Sequence, residues 1–182
     1  MDCAHDTRNT GRPCRSRAWP HDRAELAEGE QGGGTVSLDS HAGQTPANND
    51  RNFNGHYKGD ATITVPEGDK VTIKFTNDDP SLTHSIGVDS AYATFPATFT
   101  NPQPIFQGAI SSNPTDMTKA THPKKSETLT FTTSKAGSYT LTCFIPGHAA
   151  VGIWIHFDVS ADGQAGMQTS QDQRDQSRLS FN

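Results

Sequence analysis

The chain has no apolar run approaching the roughly 20 residues that a membrane-spanning helix needs, so a helical transmembrane protein is excluded for the sequence as it stands. Hydrophobic residues are scarce, 31% of 182, and mean hydropathy is −0.69. A uniform globule of this length is more apolar, so part of the chain is expected to stay outside any core. There is no excess of cations: 15 Lys and Arg against 20 Asp and Glu leave a net charge of −5, the opposite of the basic footprint that nucleic-acid binding requires. Cysteine is too scarce for a disulfide framework, because Cys3, Cys14 and Cys143 leave one over however they pair. The N-terminal arginines are not followed by the apolar stretch of about 7–15 residues that marks a secretory signal. No segment carries a helical period, and 11 prolines with 16 glycines argue for many turns and against a helical bundle.

The residues that are present cluster. All seven lysines and eight of the nine phenylalanines fall between positions 51 and 160. Residues 1–50 are polar, use only arginine as cation before position 51, and include Gly32-Gly33-Gly34. Residues 161–182 are again polar and low in aromatics. Segments of this composition bury too little apolar surface to offset the entropy of ordering. The composition therefore predicts a disordered N-terminal extension over 1–50, one folded domain over 51–160 and a disordered C-terminal tail over 161–182.

Within the middle region the hydrophobic period is two. Val71, Ile73 and Phe75 alternate with Thr72, Lys74 and Thr76, and Ile153, Ile155, Phe157 and Val159 alternate with Trp154, His156 and Asp158. Such alternation marks strands with one buried face. Ala61–Val65, His84–Val88, Leu129–Phe131 and Tyr139–Cys143 read the same way. Six or more short strands predict an all-β Greek-key sandwich or barrel. The proline-rich stretch 90–124 lacks clean alternation, and its Phe95, Phe99 and Phe106 predict that it packs over the sandwich.

Strand parity then selects the residues that carry chemistry. Cys143 shares the inward face of Tyr139 and Leu141, and His84 shares that of Ile86 and Val88. An inward histidine is costly unless its nitrogens are satisfied. His148 follows in Cys143-Phe144-Ile145-Pro146-Gly147-His148, where Pro146-Gly147 makes a turn that folds the imidazole back toward the sulfur. One thiolate with two imidazoles is the ligand set of a blue-copper electron-transfer site.

The domain resembles the cupredoxins, and most closely the sulfocyanin family. The resemblance rests on Phe53-Asn54-Gly55, Val65-Pro66-Glu67-Gly68-Asp69, Thr76-Asn77, Thr83-His84-Ser85 and Cys143-x4-His148, and covers about residues 51–160. It implies one type 1 copper per chain, held by His84, Cys143 and His148, with one-electron transfer outside the cytoplasm. The family's axial methionine falls five residues after the second loop histidine, and here that position is Ile153. Isoleucine cannot coordinate, so the site is three-coordinate unless a backbone carbonyl or Met117 supplies a further ligand.

These observations predict a monomeric electron carrier, not an enzyme, with transient redox partners docking near His148 over an apolar patch of Phe144, Ile145, Ala149, Ala150 and Val151. Two other readings use the same residues. A mononuclear copper redox enzyme would exploit an open axial side, although multicopper enzymes need His-x-His pairs that the chain lacks. A Cys-His-His metal-carrier module would bind zinc. His56, His122 and His156 read as surface or structural, and His5, His21 and His41 lie without ligand spacing in the N-terminal extension.

Overall fold

Alternating apolar residues fix which side of most strands is buried, and the computed structural model, which describes residues 33–172, contains eight strands. They are β1 (Thr35–Ala42), β2 (Ala61–Pro66), β3 (Lys70–Asn77), β4 (Gly87–Ser90), β5 (Ser126–Thr132), β6 (Gly137–Thr142), β7 (Trp154–Ser160) and β8 (Gly166–Thr169). Val71, Ile73 and Phe75 of β3 and Ile155, Phe157 and Val159 of β7 are all buried, as their parity predicts.

The strands form a three-stranded sheet, β1-β3-β5, and a five-stranded sheet, β4-β6-β7-β2-β8. Pairing is antiparallel between β3 and β5 and between β6 and β7, but parallel between β1 and β3 and between β2 and β7. Parallel partners need connections that pass from one sheet to the other, which gives the Greek-key sandwich. The crossing from β2 to β3 turns at Gly68, whose φ of 88° suits glycine. Val36, Phe75, Leu129 and Phe131 from one sheet meet Val65, Val88, Leu141 and Phe157 from the other in a single core. Each such side chain contributes about 1.5–3 kcal/mol when fully buried.

The stretch 90–124 packs as its aromatics predict. Phe106 stacks on Phe131 at 5.8 Å, while Phe95 and Phe99 join Phe144 and Ala149 in a second cluster. Isolated bridges tie this stretch to the sandwich at Gly87–Ile110 and His84–Thr121.

Two expectations about the flanks are corrected. The folded unit begins well before residue 51, because β1 pairs with β3 along its whole length, from Thr35–Lys70 to Ala42–Asn77. Eight residues of modest alternation (Val36, Leu38, Ser40, Ala42) are diluted when composition is averaged over fifty positions. At the other end β8 lies within the stretch assigned to the C-terminal tail and pairs with β2. It is a polar edge strand held by backbone pairing and little apolar burial, so hydrophobic pattern cannot reveal it. Of the stretches expected to be disordered, residues 1–32 and 173–182 lie outside the described residues, as do Cys3 and Cys14.

Candidate metal centre

Strand β6 ends at Thr142 and delivers Cys143 to the end of the sandwich, where its N–H donates to the carbonyl of Ile153 at 3.2 Å. The chain then turns at Ile145-Pro146-Gly147-His148. Gly147 has φ 81° and the N–H of His148 donates to the carbonyl of Ile145 at 3.0 Å. Proline at the second position and a left-handed glycine at the third define a type II turn. The turn brings His148 Nδ1 to 3.5 Å from Cys143 Sγ.

His84 arrives from the loop that joins β3 to β4. Its N–H and carbonyl pair with those of Thr121, so a bridge to the 90–124 stretch holds its backbone. Parity alone does not aim it inward: residues 84–89 are all buried, whichever face they share, and Ala109 and Ser111 hydrogen-bond the backbone of Val88 and Ile86 along one edge. The imidazole is fixed at both nitrogens. Nε2 lies 3.0 Å from Asp79 Oδ2, and Nδ1 lies 3.9 Å from Cys143 Sγ.

Ser85 makes two further contacts with the sulfur. The N–H of Ser85 donates to it at 3.4 Å. The Ser85 hydroxyl lies 3.6 Å away and accepts the N–H of Phe144 at 2.9 Å, so its own proton is free to point at the sulfur.

Three ligand atoms from His84, Cys143 and His148 thus lie within 4.8 Å of one another in buried surroundings, the one such group of three among the described residues. With metal–sulfur and metal–nitrogen distances of about 2.3 and 2.0–2.1 Å, trigonal geometry separates sulfur from nitrogen by about 3.8 Å. The 3.5 and 3.9 Å sulfur–nitrogen separations therefore fit a soft thiolate-imidazole metal site.

The electrostatics suit a metal and not free charges. Burial pushes the Cys143 thiol up, against hydrogen bonds from Ser85 and Ile145. Burial pushes His84 down, opposed by Asp79. Burial together with the charge of His84 lowers His148 to about 4. Both imidazoles are therefore neutral near pH 7 and able to offer a lone pair. Burial raises Asp79, but hydrogen bonds from His84 and from the N–H groups of Leu82 and Ser81 outweigh it and hold the carboxyl below its ordinary value.

Ile153 is fully buried in the same core cluster as Cys143 and Ile145, and its N–H donates to the carbonyl of His148. Met117 is 61% exposed. The expected apolar docking patch is largely buried: Phe144 and Ala149 pack against Phe95 and Phe99, and Ile145 lies in the main core. Only Ala150 and Val151 are exposed there, Val151 at 47%, beside a His148 that is 7% exposed. His56 lies 3.4 Å from Asp60, and His122 bonds the carbonyl of Thr118. His156 faces away from the core, on the opposite side of β7 to Phe157. His41, expected in a loose extension, sits in β1 with Nδ1 2.7 Å from Asp78.

Sequence reasoning passed over Asp79 and its support. The N–H of Asp79 donates to Asn77 Oδ1, while Asn77 Nδ2 donates to the carbonyls of Leu82 and Thr121. The available signal was Asp79-Pro80-Ser81, a side-chain-capped turn, five residues before a histidine already singled out.

The sulfocyanin (SoxE) domain model matches residues 33–168, a span that includes β1 and all but the last residue of β8. No curated protein sequence matches the chain. Among solved structures, rusticyanin from Thiobacillus ferrooxidans is 22% identical over 69% of this chain and 77% of its own, with a TM-score of 0.50. Auracyanin from Roseiflexus castenholzii is 23% identical over 68% and 96%, with a TM-score of 0.47. A copper nitrite reductase from Nitrosomonas europaea is 22% identical over 70% of this chain and 42% of its own, with a TM-score of 0.48. At 22% identity the likeness to rusticyanin is one of fold.

Proposed function

This chain belongs to the sulfocyanin family of cupredoxins, and we propose that it is a mononuclear type 1 copper protein that carries single electrons, with His84, Cys143 and His148 as ligands and Ile153 on the axial side. The observation that carries the proposal is the convergence of those three ligand atoms, all from buried residues, within 4.8 Å.

Bound copper supplies a one-electron couple between Cu(II) and Cu(I), and the chain's residues supply everything around it. Cys143 and His148 lie on one loop, while His84 is held through Thr121 and Asp79, so the ligand atoms are fixed from two sides of the sandwich. A frame that stays put in both oxidation states keeps the reorganisation on electron transfer small. Ser85 holds the sulfur in place. Ile153, buried beside Cys143 and unable to coordinate, fills the axial side and excludes water.

His148 is the ligand nearest the surface, and partners dock there over Ala150 and Val151, a small face that suits brief redox encounters. In this reading the chain is a carrier and not an enzyme, and it works outside the cytoplasm as a monomer. Copper analysis with voltammetry tests the proposal. One copper per chain with a reversible one-electron wave is expected. Two coppers per chain, or no reversible wave, contradicts it.

A further inference from the structure

We propose that Asp79 is a positioning residue of the copper centre: its buried carboxylate holds His84 as the Nε2–H tautomer, with Nδ1 free for the metal, and sets a fixed negative charge beside the site that favours the oxidised ion. The inference rests on the ligand assignment made above.

The two oxygens of Asp79 have separate tasks. Oδ1 accepts the N–H groups of Ser81 and Leu82, each at 2.8 Å, and so closes the turn that leads into His84. Oδ2 lies 3.0 Å from His84 Nε2. An ionised carboxylate is an acceptor at both oxygens, so Nε2 must be the donor and Nδ1 must carry the lone pair. Nδ1 is the nitrogen that faces Cys143 Sγ.

Asparagine cannot do both. With its single oxygen on the turn, its NH2 group would face Nε2 and favour the Nδ1–H tautomer, which blocks coordination. The position is also built around the aspartate. Asn77 bonds its backbone N–H, the N–H of Asp78 donates to the carbonyl of Ala42, and Gly43 packs so closely that an added Cβ would lie 2.8 Å from the Cα of Asp79. The end of β1 and the residue after it thus pack against the backbone that carries this carboxylate.

The charge acts through one imidazole ring and in surroundings from which water is excluded, since both side chains of the pair are almost wholly buried. A thiolate leaves bound Cu(II) with a net positive charge and bound Cu(I) with none. A nearby carboxylate therefore stabilises the oxidised form selectively. Partners of this kind to a metal-bound histidine are worth about 10–100-fold in metal affinity.

The test has two parts. In the copper-free wild-type chain, imidazole 15N NMR should show His84 protonated at Nε2 and bare at Nδ1; protonation at Nδ1 overturns the proposal whether or not the chain takes up copper. In the copper-loaded chain, Asp79→Asn should weaken Cu(II) binding at least tenfold relative to Cu(I), an upward shift in reduction potential of about 59 mV per decade for one electron. A blue wild type with an unchanged potential in Asp79→Asn overturns the role of Asp79 while leaving the ligand set standing. A wild type that takes up no copper overturns the ligand set, and the tautomer still decides for Asp79. If Asp79→Asn does not fold, the wild-type tautomer again decides.

Discussion

The backbone N–H of Ser85 lies 3.4 Å from the sulfur of Cys143, and the Ser85 hydroxyl lies 3.6 Å from it. This contact ties the loop carrying His84 to the loop carrying Cys143 and His148. It also places hydrogen-bond donors on a sulfur that would carry negative charge as a metal ligand. Donors on a thiolate reduce its donation to copper and so favour Cu(I).

Ser85→Ala should therefore lower the reduction potential while the blue colour persists, because the backbone N–H remains. It should also destabilise the copper-free chain by about 1–3 kcal/mol, since the buried N–H of Phe144 loses its acceptor. Voltammetry and thermal denaturation check the two effects. An unchanged potential would mean that the hydroxyl does not reach the sulfur.

Ile153→Met tests the axial assignment. A thioether donates weakly and favours Cu(II), whereas isoleucine donates nothing and keeps out water; axial ligand and local hydrophobicity both tune such sites. The substitution should lower the potential and keep the colour, at a stability cost below about 1.5 kcal/mol because the volumes are similar. A potential that stays put or rises, measured in the same buffer as wild type, would place another group on the axial side.

Strand β1 is expected to matter for both stability and the metal centre. A chain trimmed to residues 51–172 loses the strand that covers one edge of β3 and the carbonyl of Ala42 that receives the N–H of Asp78. It should melt at lower temperature and bind copper more weakly than a chain trimmed to 33–172. Equal melting temperatures and equal affinities would contradict the structural role given to β1.

The copper-free chain should lose stability in acid over a defined window. Burial and the charge of His84 lower His148 to about 4, against about 6.5 for an unperturbed imidazole. Between those values the unfolded chain binds a proton that the folded chain resists, so stability rises with pH there. The contribution of His148 is complete above about pH 6.5 and is lost as pH falls through about 4. Melting curves from pH 7 to 4 should show this slope, and His148→Gln should reduce it. Copper competes with the proton for Nδ1, so removing the metal should cost less stability as pH falls. An identical slope in His148→Gln would contradict the burial of this imidazole.

Most of both sheets and the convergence of His84, Cys143 and His148 were legible in the sequence for physical reasons. Val71, Ile73 and Phe75, or Ile155, Phe157 and Val159, alternate because one face of each strand is buried. Cys143 and His148 could be paired because Pro146-Gly147 specifies a turn. Other features carried no such signal. Strand β8 buries almost nothing, and β1 alternates weakly inside a polar context. Phe144, Ile145 and Ala149 looked like an exposed apolar face because the sequence did not show that Phe95 and Phe99 would cover part of it. Asp79 was passed over because its importance comes from hydrogen bonds made in three dimensions, to the N–H groups of Ser81 and Leu82 in the turn and to His84, and not from any apolar period.

The central claim is that Cys143, with His84 and His148, forms a type 1 copper site, and the absorption spectrum of the oxidised, copper-loaded chain tests it most directly. An intense visible band from thiolate to copper is expected in the wild type and none in Cys143→Ser, because serine supplies no thiolate. A copper-loaded wild type without that band, or a Cys143→Ser variant that keeps it, would contradict the account.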